Sequence, residues 1–200
     1  DGLVQQSHLS LSNIIRNFNQ EYPSVNVHLS IEDPSTLQNK ILDHELTLAV
    51  GSFSNIHNGI WSKYLFSEPQ FLYCAANHPL ALEKELDKER VARANIVGKP
   101  YWSHRKITRK GFNKPTASAD CMETQLIMIL SGQFIGYLPE EYASGWVKKG
   151  ALIQLFPEDY HYNAKFSLIA RKDRLRDPLI RTFRTFMQAE IKAVKERNQQ

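Results

Sequence analysis

Asp120 to Pro139 reads DCMETQLIMILSGQFIGYLP, and the fold follows from this stretch. Asp120 with Glu123 three residues on has the acid–x–x–Glu spacing of a capping box, which makes Asp120 the expected N-cap of a helix. Leu126, Ile127, Met128 and Leu130 supply an apolar face at helical spacing. Gly132 falls where a helix C-terminus needs a residue tolerant of positive φ. The short apolar run Phe134 to Leu138, stopped by Pro139, predicts a buried strand with a hard end. Helix, glycine, strand and proline together make half of an α/β crossover unit.

Upstream, Leu9, Leu11, Ile14, Ile15 and Phe18 mark a first amphipathic helix that ends at Tyr22-Pro23. Val25, Val27, Leu29 and Ile31 then alternate with polar residues, the period-two pattern of a half-buried strand. Asp33-Pro34 opens a second helix with a cap and a proline at its first position. Leu46 to Val50 predicts a short buried strand ending at Gly51-Ser52. The alternation of helix and strand predicts a parallel sheet covered by helices. Residues 55–70 are polar and broken, with weaker strand signals over Ile60 to Phe66, before the apolar strand Phe71 to Ala75. His78-Pro79-Leu80 stops that strand. Asp87 then starts a short helix, Ile96-Val97 is a brief strand, and a loop runs from Pro100 to Arg109.

Beyond Pro139, the chain predicts a helical turn over Glu141 to Trp146 and strands at Leu152 to Phe156 and Phe166 to Ala170. Asp177-Pro178 opens a long final helix carrying Leu179, Phe183, Phe186, Met187, Ile191 and Val194. Phe183, Phe186 and Ile191 spread around that helix and suggest a face for self-association.

At 200 residues and 42% hydrophobic, the chain is an ordinary globular domain. No window is apolar for long enough to span a bilayer, and no segment reads as a signal peptide. The opening Asp-Gly predicts a domain cut from a longer chain. Two distant cysteines, Cys74 and Cys121, fit no metal-ligand spacing and favour a reducing compartment. A net charge of +4 permits anionic ligands but is too small to argue for nucleic-acid binding by this stretch itself.

Taken in order, these elements resemble the effector-binding domain of LysR-type transcriptional regulators. Phe18–x–x–x–Tyr22-Pro23–x–Val25 is similar to the family's step from helix into strand, and Phe71 to Ala75 with His78-Pro79-Leu80 to its crossover. Gly132-Gln133-Phe134-Ile135-Gly136-Tyr137-Leu138-Pro139 is similar to its helix-then-strand signature. Gly150–x–Leu152, the strand Phe166 to Arg171 and Asp177-Pro178 complete the series. The chain departs from the pattern at Thr47, where the family usually has aspartate, and at Phe134 in place of a second glycine.

The resemblance implies an α/β fold of the periplasmic-binding-protein type II, with two Rossmann-like subdomains joined by two crossover strands. One comprises 1–73 plus 171–200 and the other 74–170. It also implies a winged helix-turn-helix absent from this chain, a cytoplasmic location and assembly as a homodimer or homotetramer. Promoter DNA and RNA polymerase are its implied macromolecular partners, and no membrane is involved.

A small-molecule effector is implied in the cleft between the lobes. The positions carried over are Gln5, Gln6 and Ser7 entering the first helix, Gly51 and Ser52 at a strand end, and Tyr101 and Trp102 at another. Asp120, Cys121 and Tyr137 complete the set. Backbone N–H groups at Gln5 to Ser7 suit an anion, though the same groups serve simply to cap a helix. Tyr101-Trp102 offers stacking on a planar effector or shielding of the hinge. Tyr137 reads mainly as core. Asp120 and Cys121 stand where relatives more often place neutral hydroxyl or amide groups, and that favours a ligand presenting a donor or an apolar face over a bare carboxylate. A redox role for Cys121 lacks a neighbouring resolving cysteine.

The basic run His104, Arg105, Lys106, Arg109 and Lys110 has neither helical spacing nor interleaved aromatics, and reads as a solvated loop. Catalysis finds no support: there is no nucleophile elbow, phosphate-cradling glycine loop, dinucleotide fingerprint or zinc-ligand spacing. No cofactor is expected, and no metal. A stand-alone solute-binding protein of the same fold is the alternative function.

Overall fold

The computed structural model describes residues 9–100, 111–112 and 115–197. The chain divides into two compact units, one of Glu68–Ala164 and one of Gly2–Ser67 with Lys165–Gln200.

In the second of these, α1 (Leu11–Glu21) is capped by Ser10, whose hydroxyl accepts from the Asn13 N–H. It packs on the last helix, α7 (Pro178–Arg197), through an edge contact of Phe18 with Phe183 and a bond from Asn13 Nδ2 to Glu190. The helix α2 (Pro34–Leu42) has Asp33 as N-cap and proline in its first turn, as expected. The Asp33 carboxylate accepts from the Ser35 and Thr36 N–H groups and from the Thr36 hydroxyl, and these bonds hold its pKa below the usual carboxylate value. Strand β1 (Ala49–Gly51) lies antiparallel to β7 (His161–Arg171), with Val50 opposite Leu168.

One sequence expectation fails in this unit. Among the described residues, Val25 to Ile31 forms no paired strand, and Val27, Leu29 and Ile31 are exposed. Alternation marks a segment able to be a strand, but a strand needs a hydrogen-bonding neighbour. Phe183, Phe186 and Ile191 pack against the core of Leu9, Ile14, Leu65, Phe66, Leu168 and Met187. All three remain only partly buried there.

The Glu68–Ala164 unit carries α3 (Pro79–Leu82), α4 (Lys88–Arg93), β3 (Val97–Gly98), β4 (Ala117–Ser118) and α5 (Met122–Leu130). It continues with β5 (Gly136–Pro139), α6 (Glu140–Lys148) and β6 (Leu152–Gln154). The weak signals over 60–66 and the strand at Phe71 merge into one strand, β2 (Ile60–Ala75), which passes from one unit into the other. β2 pairs antiparallel with β5 and β6, whereas β3 and β4 are parallel and Ile96 bridges Ile135 in parallel. The pairing is thus mixed, not parallel throughout: β3 and β4 form a parallel pair of their own, while β2 adds antiparallel pairs in the larger sheet. The strand order in the larger sheet is β1-β7-β2-β5, with β6 beside β2.

The stretch at Asp120 to Pro139 folds as helix, turn and strand, with three changes of detail. Cys121, not Asp120, is the N-cap of α5, and Asp120 is exposed. The residue three positions on is then Thr124, whose hydroxyl sits 3.3 Å from the Cys121 N–H and accepts from it. The buried face is Gln125, Leu126 and Ile129, while Ile127 is exposed. Gly132 has φ +76°, and its N–H closes the helix on the Ile129 carbonyl at 3.0 Å.

Candidate functional site

The parallel strands β3, β4 and β5 end at Gly98, Ser118 and Pro139, so one edge of the Glu68–Ala164 unit collects their carboxyl ends. Open α/β sheets bind ligands at this edge. The N-terminus of α5 follows β4 directly, and α6 starts on the residue after β5. Because β2 runs antiparallel to β5, its Glu68-Pro69-Gln70 stretch comes to the same edge, with Gln70 opposite Pro139.

Three polar side chains that sequence reasoning missed stand here. Glu68 and Gln70 are buried, at 4% and 3% exposure. Residues two apart on a strand share a face, and Gln70 Nε2 donates to Glu68 Oε2 at 2.8 Å. Among the described residues, Gln70 Oε1 is buried without a hydrogen-bond partner. Lys99, one residue past β3, feels the Glu68 charge. Burial pushes its ammonium below the ordinary lysine value, and Glu68 opposes that shift. The signal available beforehand was slight: a Glu-Pro-Gln interruption between the apolar residues Leu65-Phe66 and Phe71-Leu72.

Of the residues expected from sequence, Asp120 and Cys121 lie on this edge. Cys121 is half-buried; its Sγ lies 3.4 Å from Thr124 Oγ1, which also donates to the Cys121 carbonyl at 3.0 Å. Tyr137, opposite Leu72, is core, as its main reading had it. It meets Phe112 and Tyr162 edge-on, and burial drives its hydroxyl pKa upward. Gly51 ends β1 in the other unit, where an added Cβ would lie 3.0 Å from the Phe53 ring, and Ser52 follows it half-buried. Gln5, Gln6, Ser7, Tyr101 and Trp102 lie outside the described residues, as does the basic run from His104 to Lys110.

A buried acid, a cation and an amide around a helix start can orient a polar ligand. Among the described residues, no cluster of His, Cys, Asp and Glu could hold a metal ion.

The chain is 27% identical over 187 residues to the HTH-type transcriptional activator BauR of Pseudomonas aeruginosa, covering 92% of this chain and 61% of that protein. It is 23% identical to the HTH-type transcriptional regulator CbbR of Sinorhizobium medicae, covering 93% of this chain and 62% of that one. It therefore spans less than two thirds of the length of these relatives.

Among solved structures, the effector-binding domain of QuiR in complex with shikimate superposes with a TM-score of 0.72 at 13% identity, covering 92% of this chain and 91% of that one. The regulatory domain of MetR from Neisseria meningitidis gives 0.66 at 20% identity, covering 92% and 88%. The fold is that of LysR regulatory domains, the periplasmic-binding-protein type II-like fold. The family description "LysR substrate binding domain" matches residues 5–192, and the chain belongs to that family.

Proposed function

We propose that this chain is the effector-sensing part of a LysR-type bacterial transcription regulator. A small molecule bound at the carboxyl edge of the parallel strands, near Asp120 and Cys121, shifts the regulator between states that occupy promoter DNA differently. Such a shift requires only that the effector bind one state more tightly than the other. The observation that carries this reading is the family match over residues 5–192, with relatives that are HTH-type regulators of greater length. Those relatives do not favour the stand-alone solute-binding alternative.

The unit of Gly2–Ser67 with Lys165–Gln200 then corresponds to the first regulatory subdomain and Glu68–Ala164 to the second. Gly51 and Ser52 remain candidate effector contacts of the first, and Tyr101 and Trp102 of the second, with Gln5 to Ser7 at the first helix. Assembly as a homodimer or homotetramer, contact with promoter DNA and RNA polymerase, and a cytoplasmic location belong to the same proposal.

Isothermal titration of the chain against a panel of small metabolites, beside DNA footprinting of the full regulator, tests the reading. The expected result is one compound that binds the chain and alters the footprint. A chain that binds nothing, from a regulator whose footprint still responds to an inducer, would sink it.

A further inference from the structure

The Glu68-Pro69-Gln70 stretch puts two buried polar side chains in the middle of β2. Gln70 occupies the face of β2 that Leu72 and Cys74 continue into the apolar core with Tyr137 and Phe112. An aliphatic side chain there would extend that face without a polar group to satisfy. The bond from Nε2 to Glu68 fixes which way the amide points. Turned over, Oε1 would face a carboxylate oxygen, acceptor against acceptor. Oε1 is therefore the end left over, buried and without a partner among the described residues. Donation from Nε2 to a carboxylate also polarises the amide and strengthens Oε1 as an acceptor. A buried acceptor without a donor is rare in folded proteins and calls for a reason.

Its position supplies one. Gln70 pairs with the last residue of β5, on the edge that carries Lys99, Asp120 and Cys121. Asp120 is an exposed acid on that edge, and it too suits a donor rather than an anion.

We infer that Gln70 Oε1 is a specificity determinant of the effector site, accepting a hydrogen bond from a hydroxyl or ammonium group of the effector. The effector is accordingly a donor-bearing polar molecule, not a simple carboxylic acid. Glu68, with Lys99 beside it, holds the amide in the accepting orientation. Because Oε1 is buried, a donor reaches it only by parting the side chains above it, which couples binding to a local rearrangement. This inference rests on the effector-binding reading above.

The test uses matched trios of three- to six-carbon compounds: a parent carboxylic acid, its 2-hydroxy acid and its 2-amino acid. Each is titrated calorimetrically into the chain and into Gln70→Met. One donor-bearing member should bind at least about tenfold tighter than its parent, the effect of one matched hydrogen bond at a buried site. Whether it is the hydroxy or the amino acid identifies the donor. In Gln70→Met that ratio should fall to within about twofold, whereas a merely structural change would weaken both members equally and keep the ratio. Gln70→Asn, which withdraws the amide by one methylene, should lose the ratio as well and covers the case in which the methionine variant does not fold. Parent acids binding as tightly as their donor-bearing partners, or a ratio that survives in the variants, would overturn the inference and leave the sensing role standing. Binding by no compound at all would count against both.

Discussion

Gln38 on α2 and Gln125 on α5 are both helical glutamines with almost no exposed surface, at 4% and 0%. They end in opposite states. Gln38 Nε2 donates to the Asn55 carbonyl at 3.1 Å, and its Oε1 accepts from the His57 N–H at 2.8 Å. One side chain thus ties the 55–57 loop to its helix with both ends of the amide used. Gln125 uses neither end: Nε2 and Oε1 are both buried without a partner among the described residues. Gln38 staples a loop that would otherwise be loose, so its polar atoms serve the fold. Gln125 sits one turn below the N-cap of α5, on the helix that starts at the candidate site, and its polar atoms cost stability. The difference teaches that burial alone does not decide whether an amide serves the fold, and Gln70, with Nε2 used and Oε1 left over among the described residues, stands between the two.

The largest expected effect comes from breaking the satisfied side. Gln38→Leu removes two hydrogen bonds and frees the loop, and it should destabilise the chain by about 2 kcal/mol, at roughly 1 kcal/mol per bond. Urea unfolding with an unchanged m-value measures it. A loss below about 0.5 kcal/mol would mean that water replaces both bonds at no cost, and the comparison would fall.

The opposite sign is expected at the other glutamine. Gln125→Leu retains a helix-favouring residue of similar size and deletes an amide without a partner among the described residues, so it should stabilise the chain by about 1 kcal/mol. Differential scanning calorimetry would show this as a rise in Tm. If the variant instead melts lower, the amide has a partner in solution, and Gln125 belongs with Gln38.

How much of this was legible beforehand depends on whether the deciding interaction is local. The α5–Gly132–β5 unit, the Asp33-Pro34 start of α2 and the Asp177-Pro178 start of α7 were readable because caps, prolines and positive-φ glycines act within a few residues. The exchange of Asp120 for Cys121 as N-cap is an error of one position. It arises because Glu123 and Thr124 both offer a side chain that can reach back to the helix start.

Val25 to Ile31 had the pattern of a strand without the pairing, and no pattern within a segment reports its neighbour. The state of a buried amide is less legible still. Gln38, Gln70 and Gln125 are the same letter, and what separates them is Asn55, Glu68 and the surroundings of α5, which only the fold brings near. Of the candidate site, Asp120 and Cys121 were readable through the family resemblance, whereas Glu68, Gln70 and Lys99 depend on an antiparallel register that sets Gln70 opposite Pro139.

The smallest expected effect sharpens the comparison, because in His78 satisfaction depends on protonation. His78 is buried at 5% exposure and caps α3, its Nδ1 accepting from the Leu80 N–H at 3.1 Å. That bond requires Nδ1 unprotonated. Burial pushes the imidazole pKa below its ordinary value, with the Glu83 charge opposing. The folded state therefore prefers neutral His78, while the unfolded chain takes up a proton near pH 6.5. The unfolded state binds more protons below that point, so the contribution is fully present above pH 6.5 and is lost as pH falls through the depressed folded value. From pH 7 to pH 5 the chain should lose about 0.5–1 kcal/mol through this group, the size of one lost cap. His78→Asn provides a cap that does not titrate and should remove that part of the pH dependence. The carboxylates that titrate nearby are common to both proteins and cancel in the difference. Equal losses in the two proteins between pH 7 and pH 5 would show that the Leu80 N–H finds another acceptor, and His78 would then join Gln125 as a buried polar group the fold does not use.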